Sequence, residues 1–277
     1  MKGERLMKIG FLGAGNMAGA IMKGLLQKSF VKGPDIMISR RDPDKRAKLA
    51  EEFGVLAAQD NVHLAKSCDV VVLAVKPYFL RDVIQEIKPH IGDKQVISIV
   101  AGWSFDALKD AFAPSQPPIL RVSVNTPVLV GEGSTVFCEE TTFSCEMLTW
   151  AREMFSTLGA VRTLPERLLD AVVAVSGSGV AYVYTFIEAL GDGAVRLGLP
   201  RDVAYEMAAQ TMIGAGKMVL ATGTHPGALK DAVCSPAGST IEAIYELEKN
   251  GFRGIVMAAM DAVAQKLQKM ASNEQKS

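Results

Sequence analysis

The sequence holds little that could cross-link the chain, ligate a metal or give it a net field. Its four cysteines, at 68, 138, 145 and 234, form no Cys-x-x-Cys pair and no metal-like pairing with the three histidines. That excludes a disulfide framework and a zinc site, so no metal is expected, and it points to a reducing, cytoplasmic home. Neither sign of charge is in excess: 30 Lys plus Arg offset 30 Asp plus Glu, leaving no basic field to hold a nucleic acid. Aromatic residues are only 6%, so Ala, Gly, Val, Leu and Met must fill the interior. No cleavable signal opens the chain, because Met1 to Met7 is charged and runs straight into Lys8 to Gly13; the first few residues read as a dispensable leader. The longest uncharged stretch, 17 residues between Asp170 and Glu188, is only marginally long enough for a bilayer. Ser176-Gly-Ser-Gly179 interrupts it and Glu188, Asp192 and Arg196 follow, so it reads as a helix buried among other helices and not as a membrane span.

What is present is a globular composition, 49% hydrophobic and 22% charged, over 277 residues, enough for one large or two ordinary domains. Lys8 to Leu12, Asp35 to Ser39, Asp69 to Val75, Gln95 to Val100 and Ile119 to Val122 are short runs rich in Val, Ile, Leu or Met. Helical segments such as Asn16 to Lys28 and Lys45 to Phe53 lie between them. Strand and helix in alternation imply parallel pairing through right-handed crossovers, hence an α/β N-terminal domain with a doubly wound parallel sheet. After about Leu164 the strand-like runs stop. Val180 to Leu197, Asp202 to Thr222, Ser239 to Asn250 and Gly254 to Met270 read as helices punctuated by Gly-Leu-Pro, Gly-Thr-His-Pro-Gly and Asn-Gly. The expected division is residues 1–163 for the Rossmann-type dinucleotide domain and 164–277 for an all-α C-terminal domain. Ala204, Ala208, Ala209, Gly214, Ala215 and Gly216 crowd one of its helices with small residues. With so few large side chains, that domain is expected to complete its core in a homodimer or higher homo-oligomer.

Gly13-Ala14-Gly15-Asn16-Met17-Ala18 follows the first strand and opens the first helix. In that context the first glycine permits the turn, the second lets a pyrophosphate approach the backbone, and the small Ala18 permits close strand-helix packing. At the end of the second strand an NAD site normally carries Asp or Glu; this chain has Ser39, Arg40 and Arg41. A hydroxyl and two guanidinium groups suit a 2′-phosphate, so NADP(H) is preferred, with NAD(H) as the alternative. The competing reading leaves Arg40 and Arg41 solvated or paired with Asp42 and Asp44. Ala74-Val75-Lys76-Pro77 and Ala101 end later strands and should face the nicotinamide half, with Lys76 either touching a ribose hydroxyl or carboxylate or simply solvated.

These motifs, with Asn61, Asn125-Thr-Pro127, Gly131-Glu-Gly133, Ser176-Gly-Ser-Gly179 and Leu229-Lys-Asp-Ala-Val-Cys-Ser-Pro-Ala-Gly-Ser-Thr-Ile241, resemble pyrroline-5-carboxylate reductase over essentially the whole chain. The resemblance implies that Asn61 and the Ala74 to Pro77 turn line the cofactor, and that the Ser235 to Thr240 loop binds the small-molecule substrate, 1-pyrroline-5-carboxylate. Val180 stands where the family usually has proline, and no acidic residue precedes His225-Pro-Gly.

Reducing a cyclic imine needs hydride delivery to a carbon already electron-poor once its nitrogen is protonated, whereas oxidising an alcohol needs a positioned Lys or His. From Leu168 to Val195 there is no Lys, Arg or His. At Ser235-Pro-Ala-Gly-Ser-Thr240 a helix start suits the single carboxylate of the substrate, with Ser235, Gly238, Ser239 and Thr240 as binding residues. Thr240 is the candidate catalytic side chain, a hydrogen-bond partner of the ring nitrogen. Ser239 with Glu242 also makes a capping-box pattern. The alternatives are a reductase of another imine or a hydroxyacid, and a nucleotide-sensing protein without turnover.

Overall fold

Where the chain strings aliphatic residues together it is extended, and where apolar residues recur every third or fourth position it is helical. The structure, a computed structural model describing residues 7–274, runs β1 (Ile9–Leu12), α1 (Asn16–Gln27), β2 (Ile36–Ser39), α2 (Pro43–Phe53), β3 (Leu56–Ala57), α3 (Asn61–Ser67) and β4 (Val70–Leu73). It continues through α4 (Pro77–Ile87), β5 (Gln95–Ser98), α5 (Phe105–Phe112), β6 (Ile119–Val124), β7 (Gly133–Thr141), α6 (Cys145–Ser156) and β8 (Gly159–Leu164). The helices α7 (Leu169–Val172), α8 (Gly179–Arg196), α9 (Arg201–Thr222), α10 (Pro226–Ala232), α11 (Ser239–Lys249) and α12 (Phe252–Glu274) complete it. The expected leader, residues 1–6, lies outside the described range.

The strands form one sheet in the order β3-β2-β1-β4-β5-β6-β7-β8. Every residue of β1, β2 and β4 is buried, because both sheet faces are covered, as a parallel sheet requires. Ile21 and Leu25 of α1, Ala50 of α2 and Phe155 of α6 join the core on one face; Leu64 of α3, Ile84 of α4 and Leu108 of α5 join that on the other. The sheet is therefore doubly wound, as the alternating sequence implied. Three strands beyond the expected set extend it, the two-residue β3 at one edge and β7 and β8 at the other. β7 runs antiparallel to β6, and β8 parallel to β7. Neither announces itself as an apolar run: β7 opens with Gly133-Ser-Thr and ends with Glu139-Glu-Thr141, and edge strand β8 carries Arg162 and Thr163.

Residues up to Gly177, with those from Val263 onward, make one compact unit, and Ser178–Ala262 makes the other. The last strand does end at Leu164, but α7 and the π-helical turn Val173–Gly177 stay with the sheet. α12 begins in the helical unit and ends in the first. Within the helical unit α8 and α9 pack together closely: a Cβ on Gly191 would lie 2.8 Å from the Tyr205 ring. Asp192 ties the pair by accepting from the Tyr205 hydroxyl at 3.0 Å and pairing with Arg201 at 2.8 Å. α8 starts at Gly179 and carries Val180 in its first turn, so the missing proline did not move the helix start.

One expectation fails here. The stretch Glu166–Arg196 is long and apolar enough to cross a bilayer, and only 17% of its most apolar window is buried within the single chain. It is not a helix buried among other helices of the same chain: Val175, Val183, Tyr184 and Leu190 are exposed.

Candidate active site

The first glycine of the β1–α1 turn is held by its neighbours on both sides. Gly13 has φ +93°, donates its N–H to the Ser39 carbonyl at 3.0 Å, and would place a Cβ 2.7 Å from the Ala74 carbonyl oxygen. Only glycine fits between the tips of β2 and β4 in that conformation. Gly15 serves a different need. It is the N-cap of α1, no side chain caps that helix, no acidic residue lies in its first turn, and a Cβ on Gly15 would meet nothing within 4 Å. Free N–H groups and the positive end of a twelve-residue helix thus face open space, which is what a diphosphate requires. Ala18 is buried and packs into the core instead of lining the cavity. A cavity of about 730 Å³ spreads from this turn, lined by Gly13 to Met17, Ala74 to Pro77, Ile99 to Ala101, and Thr126. Pro77 is the first residue of α4, so it starts a helix rather than only shaping a turn; Lys76, its N-cap, is exposed on the cavity wall.

A second cavity of about 540 Å³ adjoins the first and shares Gly13, Arg40, Val75 and Phe79 with it. Ser39, Arg40, Arg41, Arg46 and Asn61 line it. Arg40 donates to the Ala14 carbonyl at 3.1 Å, linking the end of β2 to the phosphate turn. The Arg41 guanidinium lies 4.0 Å above the Phe79 ring. Arg46 donates to the Arg40 carbonyl at 3.1 Å and adds a third cation. Asp42 is engaged elsewhere: it caps α2 by accepting from the Lys45 N–H at 3.0 Å, a bond that holds its carboxyl below the usual carboxylate range. Among the described residues neither Arg40 nor Arg41 pairs with Asp42 or Asp44.

Ser39 behaves differently from its expected role as a phosphate donor. It is 3% exposed and gives its one proton to the Asn61 side-chain oxygen at 2.6 Å, while the Asn61 amide donates to Glu86 at 2.7 Å. In this arrangement the hydroxyl orients Asn61 and has only acceptor capacity left.

In the helical unit, Ser235-Pro-Ala-Gly238 folds as a turn: Gly238 donates its N–H to the Ser235 carbonyl at 3.0 Å and Ala237 sits at φ +56°. Pro at the second turn position and a positive φ at the third is a type II pattern, adopted here at a cost because Ala replaces glycine. A Cβ on Gly238 would lie 2.4 Å from the Ser235 hydroxyl and 3.1 Å from the Ser235 carbonyl oxygen, so a side chain here would have to displace that hydroxyl. The capping-box pattern is not used. Gly238 is the N-cap of α11, Ser239 its first residue, and no side-chain bond caps the helix. A serine already inside the helix cannot cap it. Its first N–H groups are open, with Ser239 and Thr240 exposed beside them. His225 accepts from the Gly227 N–H at 3.1 Å and caps α10, a loop-shaping role.

Comparison with known proteins decides what this pair of features is. The family model described as "Pyrroline-5-carboxylate reductase dimerisation" matches residues 166–270, and that described as "NADP oxidoreductase coenzyme F420-dependent" matches residues 8–102. Pyrroline-5-carboxylate reductase of Escherichia coli (strain K12) is 42% identical over 267 residues, which is 96% of this chain and 99% of that protein. That of Pisum sativum is 37% identical over 95% of this chain and 96% of its own. The chain belongs to the pyrroline-5-carboxylate reductase family. Among solved structures, that of Plasmodium falciparum pyrroline carboxylate reductase with NADP bound superposes with a TM-score of 0.87 at 33% identity, covering 96% of this chain and 98% of that one.

A pyrroline-5-carboxylate reductase is an NADP-using oxidoreductase, and the cavity residues fit that cofactor: an open helix N-terminus for the diphosphate and three guanidinium groups, with no acidic residue ending β2. The structure collects around one trough all the residues the sequence set aside for the cofactor except the packing residue Ala18. Sequence reading missed Phe79, Glu86, Arg46 and Thr126. Phe79, Asp82, Val83 and Glu86 follow the i, i+3, i+4, i+7 spacing of one face of α4. That signal becomes readable once a helix is placed directly after Pro77.

Proposed function

We propose how this chain performs the reaction of its family, the NAD(P)H-dependent reduction of the ring imine of 1-pyrroline-5-carboxylate to L-proline, the last step of proline biosynthesis. The Gly13 to Met17 turn and the α1 N-terminus hold the diphosphate. Arg40 and Arg41 hold the 2′-phosphate, and Ser39 acts through Asn61 to order the adenosine end. Ala74 to Pro77 and Ala101 border the nicotinamide half. When bound, the reduced nicotinamide supplies the hydride.

The α11 N-terminus receives the substrate carboxylate, with Ser235, Gly238, Ser239 and Thr240 forming the loop that grips it. The observation that carries this reading is the open end of α11: an eleven-residue helix whose N-cap is glycine and whose first N–H groups no side chain occupies. Thr240 hydrogen-bonds the ring nitrogen and orients the ring. Because an iminium nitrogen already carries its proton, hydride addition yields the neutral amine, and no strong base is needed. The absence of Lys, Arg and His from Leu168 to Val195 agrees with that and not with alcohol oxidation.

The helical unit joins a homodimer or larger homo-oligomer through its exposed apolar residues; on α9, Met207 and Met218 lie on one face and Ile213 and Leu220 on another. Exposed apolar faces of that kind need cover. Four unpaired cysteines support a reducing, cytoplasmic home.

Supplying NADPH and pyrroline-5-carboxylate together should consume NADPH absorbance. Thr240→Ala should lower turnover roughly tenfold to hundredfold with NADPH affinity unchanged; an equal loss of NADPH affinity would contradict the role given to Thr240.

A further inference from the structure

The end of the trough beyond β5 is closed by Thr126, the middle residue of the Asn125-Thr-Pro127 motif, to which sequence reading assigned no role. Asn125 follows β6 and is 7% exposed; its amide donates to the Ser176 carbonyl at 3.0 Å, and its oxygen accepts from the Ser134 N–H at 2.8 Å. On the other side Thr126 is the first residue of a short 3-10 turn in which Pro127 is second, and Val128 is fully buried. Thr126 is clamped between these anchors. It is exposed, and it lines the larger cavity beside Ile99, Val100 and Ala101. Among the described residues its hydroxyl has no hydrogen-bond partner.

In a doubly wound sheet the nicotinamide half of a dinucleotide lies over the carboxyl ends of the strands on the β4–β5–β6 side of the turn. Apart from the exposed Lys76, a cation with donors only, the wall there is aliphatic: Val75, Pro77, Ile99, Val100 and Ala101. A nicotinamide ring bears one polar substituent, a carboxamide with an acceptor oxygen and a donor nitrogen, and burying it without a partner is costly. A threonine hydroxyl can serve either atom. We propose that Thr126 is the side chain that receives the nicotinamide carboxamide and sets which way the ring faces, with Asn125 as its positioning residue. The proposal rests on reading this trough as the cofactor site, and the test separates the two.

The full-length protein is titrated with NADPH and, separately, with adenosine 2′,5′-bisphosphate, which carries the adenosine half and the 2′-phosphate but no nicotinamide. Binding is read by calorimetry, and the emission spectrum of bound NADPH is recorded. Thr126→Val, which keeps the shape and removes the hydroxyl, should weaken NADPH about fivefold to tenfold, the worth of one hydrogen bond. It should also shift the emission of bound NADPH while leaving the bisphosphate unchanged; Thr126→Ser should restore both. Unchanged NADPH binding in Thr126→Val overturns the proposal, and so does equal weakening of both ligands, which would mark a structural role. Failure of the wild-type protein to bind the bisphosphate would instead sink the reading of the trough itself.

Discussion

At Arg40 and Arg41 the chemistry depends on where two guanidinium groups are anchored. One is tied to the Ala14 carbonyl and the other rests on the Phe79 ring, so both are held at the mouth of the trough, and among the described residues neither forms an ion pair with a carboxylate, although Asp60, Asp82 and Glu86 also line that cavity. A dianionic 2′-phosphate would gain charge-assisted bonds from both, and a 2′-hydroxyl would not. The double variant Arg40→Ala with Arg41→Ala should therefore raise the dissociation constant for NADPH about a hundredfold and that for NADH less than about threefold, measured by fluorescence titration. A flat loss for both nucleotides would refute phosphate reading. These arginines were legible because their place at a strand end puts them on the cavity wall. Arg46 was not, because its contribution arises when the first turn of α2 folds back on the Arg40 carbonyl. Nor was the Ser39 proton, whose destination depends on Asn61, 22 positions away.

At the scale of one element, α11 shows how a turn leaves a helix end free. Placing proline and a left-handed residue before Gly238 makes glycine the N-cap, and glycine has no side chain with which to cap. Gly238→Ala should put its methyl group against the Ser235 hydroxyl and carbonyl, at 2.4 and 3.1 Å before relaxation. We expect a loss of about 1–2 kcal/mol in urea unfolding at fixed protein concentration, partly recovered when Ser235→Ala is added. The Michaelis constant for pyrroline-5-carboxylate should rise several-fold in Gly238→Ala with NADPH affinity unchanged. Equal losses in the single and double variants would show that the Ser235 hydroxyl does not restrict this position. The sequence marked this helix start and its residues but assigned the cap to Ser239, one position too far into the helix. β7 and β8 escaped notice for a related reason: their mixed composition is stabilised by pairing with β6 and with each other, not by apolar runs of their own.

For the whole molecule, burial is unevenly distributed. The sheet-bearing unit encloses two apolar cores, whereas the helical unit leaves Leu220 86% exposed and Met207, Ile213 and Met218 about half exposed. Patches of that kind mark association. Replacing Ile213 and Leu220 together by glutamate should convert the oligomer to a species of monomer mass in size-exclusion chromatography with light scattering; an unchanged mass would move the interface elsewhere. The sequence by itself determined the doubly wound sheet, the glycine turn after β1, the arginine pair after β2, the helical second half and the family, because each depends on local periodicity or on residues close together in the chain. Only the tertiary structure decided that Ser39 turns inward to Asn61, that Phe79 and Arg46 join Arg40 and Arg41 around one cavity, that Asn125 clamps Thr126 against the trough, and that the apolar face of α8 stays open within one chain. Those outcomes depend on contacts between residues far apart in sequence, and local pattern carries no information about which distant group arrives to satisfy a donor or cover a face.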